Sequence, residues 1–137
     1  MPENAWIECM SADGEDVCLY GFLGESNEYD ILTNHKATVF SYSKEGIEVW
    51  RKTLESPERF QYGSSETGIC VAASDIYLDG IWNLFLCSIN RDGSTRSMTN
   101  VNGLEGAFAR GVFETENGLV KVLGATNTQL FMFDLTY

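Results

Sequence analysis

A short pattern repeats along this chain at nearly constant spacing, and that spacing limits the folds the chain can adopt. Segments 39–50 and 84–96 each contain an apolar extended run followed by a polar turn with glycine, and the two glycines, Gly46 and Gly93, lie 47 residues apart. Glycine tolerates the positive φ that tight hairpin turns require, so each segment predicts a β-hairpin. Segment 131–135 repeats the apolar run once more, 46 residues further on. The sequence therefore predicts a threefold internal repeat.

Two other pairs of segments recur at a similar spacing, one at an offset of 50 residues and the other at 93, which is 47 plus 46. Segment 65–69 corresponds to 115–119, and in both a polar turn that ends in glycine precedes an apolar strand. Segment 33–40 corresponds to 126–133, two periods away, through a shared Thr-Asn start and the apolar run that follows it. Three independent matches at one period are harder to attribute to chance than any single match.

The rest of the chain also predicts extended structure. Apolar or alternating runs are separated by polar turns, aromatic residues make up 12% of the chain, and only two prolines occur. This composition favours strands over helices. A helical turn is predicted only at 53–59, where Ser56 precedes Pro57. We therefore expect an all-β protein with a single domain, 1–137.

Repeats of 40 to 50 residues in an all-β sequence are typical of β-propellers, whose blades are four-stranded antiparallel meanders. The chain resembles three such blades, at roughly 17–53, 58–99 and 104–137, the third of which lacks its outer strand. Segment 5–10 is expected to be a closure strand that completes a blade of its own subunit or of a partner.

Three blades are too few for a propeller, because known rings have four to eight. The resemblance therefore implies a homodimer in which two chains complete one six-bladed ring. The alternative is a β-sandwich or barrel, whose strand spacing of about 8–12 residues can imitate a repeat. The residues leave both architectures open.

The chain is acidic, and its charge is unevenly distributed. The net charge is −11, and the first 35 residues contain eight acidic residues and no lysine or arginine. A field of this sign repels phosphate backbones and anionic membranes, so we expect neither nucleic acid nor a membrane as a partner. The acidity is either a property of a soluble or salt-adapted surface, or a docking surface for a basic protein at residues 3–30.

The start of the chain and the cysteines indicate a reducing compartment. Residues 1–4 lack the features of a secretory signal, and no apolar run approaches the roughly 20 residues that span a bilayer. We therefore expect a cytoplasmic protein. Cys9, Cys18, Cys70 and Cys87 form no Cys-x-x-Cys pair and lie in apolar or alternating runs, which predicts buried, reduced thiols; a disulfide is the alternative.

No strong catalytic motif is present in the sequence. It contains no Gly-x-Ser-x-Gly elbow, no phosphate-binding glycine loop and no His-Glu-x-x-His pair. The one histidine, His35, lies in a polar turn, where a solvated residue is more usual than a catalytic base. The Asp-Gly pairs lack the alternating acids of a calcium loop and predict turns. No catalytic residue or metal ligand is assigned.

A propeller would gather its functional loops on the face where the second and third strands of each blade are joined. Segment 74–82 is the longest of these loops and combines carboxylates with aromatic rings, as small-molecule and sugar sites do. The candidate ligand-binding residues are Asn34, His35, Asp75, Tyr77, Asp79, Trp82 and Asn127. No cofactor is predicted, although the carboxylates allow for Ca²⁺, as in six-bladed enzymes of the lactonase type, by analogy of fold alone.

The sequence favours a non-enzymatic β scaffold that binds a small-molecule ligand or a protein, without identifying either. One alternative is a metal-dependent, lactonase-like propeller hydrolase. The other is an acidic inhibitor that imitates DNA and binds a basic protein.

Overall fold

The computed structural model of the chain describes residues 2, 4–29, 31–65, 69–101, 108–114, 119–126 and 128–136. These residues form eleven β-strands and no helix, as the sequence predicted for an all-β protein; none of them therefore belongs to a helix that could cross a membrane. The strands are β1 (Ala5–Ala12), β2 (Asp16–Ser26), β3 (Leu32–Ser43), β4 (Glu48–Thr53), β5 (Tyr62–Ser64), β6 (Cys70–Leu78), β7 (Ile81–Ile89), β8 (Thr95–Val101), β9 (Phe108–Glu114), β10 (Leu119–Ala125) and β11 (Leu130–Thr136).

The strands form three antiparallel sheets that follow one another along the chain. Sheet 1 has the order β1-β2-β3-β4, sheet 2 the order β5-β6-β7-β8, and sheet 3 the order β9-β10-β11. Strands that are neighbours in sequence are neighbours in the sheet, so each sheet is an antiparallel meander. The prediction of three antiparallel units is confirmed, with four, four and three described strands.

The first unit begins earlier than the sequence predicted. Segment 5–10 lies in β1, which pairs with β2 and is the first strand of sheet 1; its assignment as a closure strand is corrected. The reason is the tight turn that follows it. There Asp13 Oδ1 accepts hydrogen bonds from the backbone N–H groups of Glu15 and Asp16, both at 2.9 Å, and Gly14 adopts a φ of +93°.

Sheet 1 has four strands with β1 as the first, and its central strands β2 and β3 are long, at 11 and 12 residues. Most of segment 27–33 is the connection between β2 and β3, since β3 begins at Leu32. In this connection Asn27 Oδ1 accepts hydrogen bonds from the backbone N–H groups of Tyr29 (2.9 Å) and Ile31 (3.0 Å). The first unit therefore spans 5–53 instead of 17–53.

The two hairpin turns that define the sequence repeat have the same backbone geometry. Gly46 and Gly93 adopt φ values of +80° and +90°. The N–H of Gly46 donates to the carbonyl of Ser43 at 3.0 Å, and the N–H of Gly93 donates to the carbonyl of Asn90 at 2.9 Å. The predicted hairpins β3-β4 and β7-β8 are confirmed.

Sheet 2 lies between the other two sheets, and both of its faces are buried. Alternate residues of β6 and β7 point to opposite sides. Ala72 and Cys87 therefore join a core cluster with sheet 1, whereas Val71 and Leu86 join a cluster with sheet 3. A strand that is covered on both faces has no solvent side, which explains why β6 and β7 are almost continuously apolar.

Tyr20 is the largest fully buried side chain at the contact between sheets 1 and 2. It is fully buried, and its hydroxyl donates to the carbonyl of Ser64 at 3.1 Å and is hydrogen-bonded to Ser11 Oγ at 2.8 Å. Burial raises the pKa of Tyr20 well above its usual value, so the hydroxyl stays protonated. The ring lies so close to Gly63 of β5 that a Cβ there would overlap it. Packing therefore requires glycine at this position.

Replacing Gly63 with Ala is expected to lower the free energy of unfolding by about 1–3 kcal/mol, because it overpacks the contact with the Tyr20 ring. The matched control is Gly111→Ala in β9, where a new Cβ would lie 3.9 Å from the nearest side chain and the expected change is within about 0.5 kcal/mol. Urea unfolding at equal protein concentration measures both, with the mass of each variant determined at that concentration because Gly111 pairs with Leu123 on the outer face of sheet 3. Equal stability of the two variants would contradict the packing role of Gly63.

The four cysteines are free thiols. Cys18 and Cys70 meet between sheets 1 and 2, with their Sγ atoms 2.6 Å apart. In this pair Cys70 keeps its proton and donates to Cys18, and this hydrogen bond together with burial raises the pKa of Cys70 far above its usual value. Burial raises the pKa of Cys87 to about 11, and Cys9 is only partly buried. Cys18, Cys70 and Cys87 are therefore buried. Cys70 and Cys87 are hard to ionise, and Cys18 is hydrogen-bonded to Cys70.

The rate of alkylation is expected to be highest at the least buried thiol, because the thiolate is the reactive form and the reagent needs access to it. A short iodoacetamide pulse on the folded protein at about pH 8 should modify Cys9 first and leave Cys87 unmodified, whereas the same pulse in urea should modify both. Peptide mass spectrometry reads out each site. Equal labelling of Cys87 in folded and unfolded protein would show that this core is not closed.

Candidate functional site

A cleft of about 1030 Å³ opens where the ends of the three sheets approach the connection between β4 and β5. Its walls come from the start of β3, the tip of the β6-β7 hairpin, that connection and the start of β9. The lining residues are His35, Ser56, Pro57, Glu58, Arg59, Gln61, Asp75, Ile76, Tyr77, Trp82, Phe108 and Arg110.

The β6-β7 hairpin forms one wall of the cleft, in the segment 74–82 that the sequence predicted to be a long loop. This expectation is corrected, because β6 continues to Leu78 and β7 begins at Ile81. Asp79 and Gly80 are the two turn residues, with φ values of +50° and +80°, as a type I′ hairpin turn requires. Asp79 is therefore a turn residue at the hairpin tip and lies outside the cleft lining.

Exposed aromatic rings stand next to this turn. Tyr77 and Trp82 are directly paired across β6 and β7, with ring centroids 5.1 Å apart and ring planes tilted by 54°. Phe108 of β9 lies beside them, its centroid 6.1 Å from that of Trp82, and the Arg110 guanidinium is 5.6 Å from the Phe108 centroid. A continuous aromatic surface thus runs from sheet 2 to sheet 3. Exposed clustered rings of this kind are typical of binding sites.

A row of polar groups faces the same cleft. The Gln61 side-chain amide donates to Asp75 Oδ2 at 3.2 Å and accepts from Arg59 Nη2 at 3.1 Å, in the amide orientation that satisfies both neighbours. Arg59 Nη1 also lies 3.5 Å from Glu8 Oε1 of β1. The row therefore combines a cation, an amide and a carboxylate in one hydrogen-bonded chain.

The connection between β4 and β5 positions this row. Phe60 is fully buried, and its N–H donates to the carbonyl of Gly21 at 3.0 Å. The carbonyl of Pro57 accepts a hydrogen bond from the N–H of Ala37 at 3.1 Å. Gln61 continues the anchoring through its own N–H, which donates to the carbonyl of Ala73 at 3.0 Å. Backbone bonds to two sheets therefore hold the side chains on either side of Phe60.

The helical turn predicted at 53–59 is wrong. β4 ends at Thr53, and the residues after it form bends without helical structure. The Ser56–Pro57 peptide is cis. The backbone groups of this connection bond to neighbouring strands, as described for Pro57 and Phe60, instead of to one another. Tertiary hydrogen bonds have overridden a local capping signal.

His35 lines the cleft at the start of β3. Its ring stacks on Phe22, with centroids 4.1 Å apart, and its Nε2 is within 2.9 Å of the carbonyl of Leu32, to which an Nε2–H donates. The ring is therefore held as part of the wall by a stacking contact and by a backbone hydrogen bond. Among the residues that the structure describes, no nucleophile or carboxylate is hydrogen-bonded to the His35 ring, so the geometry gives no reason to assign it a catalytic role.

Of the seven candidate residues, the structure brings His35, Asp75, Tyr77 and Trp82 together around this cleft. Asn34 faces a neighbouring groove, where its Nδ2 donates to Glu25 Oε2 at 2.8 Å. The position of Asp79 is described above. Asn127 lies outside the described residues.

Four residues that matter to the geometry were missed: Arg59, Gln61, Phe108 and Arg110. The sequence contained a signal for Arg59 and Gln61, because these two polar residues flank the aromatic Phe60. Such alternation is typical of an extended segment with one buried side chain. Phe108 and Arg110 are two residues apart, which is the spacing of residues on one face of a strand. Nothing in the sequence indicated that these two segments end at the same cleft.

No three His, Cys, Asp or Glu side chains come together in a way that could hold a metal ion, as far as the described part of the chain goes. The Ca²⁺ expectation stays a prediction. The cleft has aromatic surface, two guanidinium groups and carboxylates on a fixed backbone, which equips it to bind and orient a small molecule. Comparison with protein-family models and with curated proteins gives no match for this chain.

Proposed function

We propose that this chain is a non-enzymatic ligand-binding scaffold whose working form is a homodimer, in which two chains complete one six-bladed β-propeller around the clefts. The observation that carries the proposal is a pair of exposed apolar sheet faces. Each occupies repeat positions that are buried between sheets elsewhere in the same chain. A six-bladed ring lies within the usual range of four to eight blades, whereas three blades do not.

Every sheet has two faces. We call front the face that carries Val39 in sheet 1, Leu86 in sheet 2 and Met132 in sheet 3, and back the opposite face. The front face of sheet 1 packs against the back face of sheet 2, and the front face of sheet 2 packs against the back face of sheet 3. The first strands of the sheets also lie side by side, β1 against β5 and β5 against β9. Successive strands that converge in this way resemble the inner strands around the axis of a propeller.

The front face of sheet 3 repeats positions that are buried in sheets 1 and 2. Val39, Leu86 and Met132 are equivalent at offsets of 47 and 46 residues. Val39 is 0% exposed and Leu86 2%, because each is covered by the next sheet, but Met132 is 58% exposed. A side chain that two neighbours in the repeat bury completely is thus left open to solvent in the third.

A second set of equivalent repeat positions, Ala37, Leu84 and Leu130, is also buried in sheets 1 and 2 and exposed in sheet 3. Ala37 and Leu84 are buried between sheets, whereas Leu130 at the corresponding position of sheet 3 is exposed. Leu123 is the partner of Met132 on β10, and it is only partly buried. The exposed front face of sheet 3 therefore has the apolar character of a face that packs against another sheet.

The back face of sheet 1 is the complementary surface. Met10 of β1 is exposed, and its partner on β2, Leu19, is only partly buried. Phe40 lies next in the same row; it is already fully buried, with the Arg51 guanidinium 5.3 Å from its ring centroid, so the exposed part of this face is at Met10 and Leu19. The back faces of sheets 2 and 3 are each covered by a front face. By the same rule, the back face of sheet 1 should be covered by the front face of sheet 3 of a second chain.

This contact joins unlike surfaces, so it is heterologous. Heterologous contacts form a closed ring when the rotation closes and an open filament when it does not. Two chains with three sheets each close the ring with two identical contacts and leave neither apolar face exposed. Cytoplasmic location is expected for this assembly, as it was from the sequence. The metal-dependent hydrolase and the acidic inhibitor stay predictions that no observation on the described residues favours.

Met132→Asp is expected to weaken the dimer at least roughly 100-fold, because it places a charge at the centre of an apolar contact. Met98→Asp is the matched control: Met98 is 54% exposed but lies on β8 of sheet 2, away from both proposed contact faces. Sedimentation equilibrium at about 0.15 M salt or above measures the mass, since screening is needed between chains with a net charge of −11. A wild-type mass of one chain at every concentration would overturn the proposal and favour a sandwich-like monomer.

A mixing experiment tests whether the contact is head-to-tail. Met10→Asp damages the back face of sheet 1, and Met132→Asp damages the front face of sheet 3. Each variant alone should be largely monomeric, because both contacts of its dimer contain a damaged face. Their equimolar mixture should regain dimer, because one of its two contacts is then intact. A Met10→Asp variant that still dimerises fully would instead show a symmetric contact between two copies of sheet 3.

A further inference from the structure

We propose that the cleft binds a neutral saccharide, with the Tyr77–Trp82 corner as its stacking surface and the Arg59–Gln61–Asp75 row as its hydroxyl-binding edge. This inference rests on the proposed ligand-binding function and gives it a chemical class. It is carried by the combination of exposed rings, mixed charge and a fixed polar row in one cleft, which few ligand classes match.

The rings favour a ligand with an apolar face. Tyr77 and Trp82 are both exposed although they are paired across strands and in mutual contact. Because their planes are tilted by 54°, they form a corner instead of a flat platform. A pyranose ring has a face of C–H groups that packs on one ring, while its edge meets the other. Aromatic side chains provide such contact area with one apolar surface and, in Tyr and Trp, a polar group at the rim.

The charges in the cleft argue against a charged ligand. An anion placed near Arg59 and Arg110 would also meet the carboxylates of Asp75 and Glu58, and a cation would meet the two guanidinium groups. The lining thus contains two positive and two negative groups, with His35 and Tyr77 as the remaining titratable wall residues. A ligand without net charge, but with many hydrogen-bonding groups, suits both signs.

The polar row matches hydroxyl groups in particular. A hydroxyl both donates and accepts hydrogen bonds, whereas a guanidinium only donates and a carboxylate only accepts. In the row, Arg59 donates to Gln61 and Gln61 donates to Asp75. Adjacent hydroxyls of a sugar can accept hydrogen bonds from the Arg59 guanidinium and the Gln61 amide N–H and donate one to the Asp75 carboxylate. The ligand would then have the same donor-to-acceptor order as the row.

The site is also organised before any ligand arrives. Asp75, Tyr77 and Trp82 lie on paired strands, and the backbone bonds described above hold Arg59 and Gln61 on either side of the buried Phe60. A site that needs little ordering loses less affinity on binding. Its volume of about 1030 Å³ is at the upper end of common ligand pockets, which accommodates more than a single sugar ring.

The test is saturation-transfer NMR and tryptophan fluorescence titration of the full chain with named probes. The neutral probes are glucose, galactose, N-acetylglucosamine and the trimers cellotriose, maltotriose and chitotriose. Glucuronic acid and glucosamine are the charged arms. We expect at least one neutral trimer to bind, more tightly than its monomer. Binding of no neutral probe, or stronger binding of either charged probe, overturns the proposal.

Variants place the binding in the cleft. Tyr77→Ala is expected to reduce affinity for the bound trimer roughly tenfold or more, since stacking is lost. The control Tyr29→Ala removes an exposed tyrosine from the connection between β2 and β3 and should change affinity less than about twofold. Asp75→Asn keeps the shape but removes an anionic acceptor, and it too should weaken binding. If the Tyr29 variant loses as much affinity as the Tyr77 variant, the site is elsewhere and the proposal fails.

The same samples separate this inference from the assembly. The mass of each sample is measured alongside binding, and circular dichroism confirms that each variant is folded. A dimer that binds no neutral saccharide, but is stabilised by another small molecule in a thermal-shift screen, overturns only the saccharide class. A monomer that binds a trimer through Tyr77 overturns the dimer and leaves the saccharide site standing.

Discussion

Burial of both faces of sheet 2 is the constraint on which the rest of this structure depends. Its central strands are apolar on both sides, so they are stable only between two covering sheets, and sheets 1 and 3 supply that cover. Each of these outer sheets is then covered on one side only. The hydrophobic effect that explains the middle of the chain therefore leaves two apolar faces at its ends. The question of assembly follows directly from the packing of the monomer.

The cleft depends on the same stacking. Three sheets placed side by side bring the ends of their strands to a common edge, where residues distant in sequence become neighbours. Trp82 of sheet 2 and Phe108 of sheet 3 meet there, as do Arg59 of the connection and Asp75 of β6. The fold supplies rigid strands for the aromatic corner, and the connection between β4 and β5 supplies most of the polar groups. A binding surface carried by strands and by a well-anchored connection is more precisely positioned than one carried by free loops.

The sequence predicted those features that depend on a few adjacent residues. Gly46 and Gly93 indicated two hairpins because a positive φ is needed inside the turn itself, and the Asp79-Gly80 pair is a turn for the same reason. One wall of the cleft was also within reach, since Asp75, Tyr77 and Trp82 lie close together on one hairpin. His35 was grouped with them only through the repeat. The strand bounds and the role of segment 5–10 were predicted less well, because strand length depends on what covers the strand.

From the residues alone follow the all-β class, the period of the repeat and the positions of its turns, because these are set by local backbone preferences and by the alternation of apolar side chains. The tertiary structure decided which strand begins the first unit, which faces are covered and which distant side chains share the cleft. These features depend on contacts between segments tens of residues apart. The local sequence patterns are compatible with more than one set of such contacts. The helical turn expected at 53–59 illustrates the difference, since backbone hydrogen bonds of Leu54 and Pro57 with Ala37 hold that segment in another conformation.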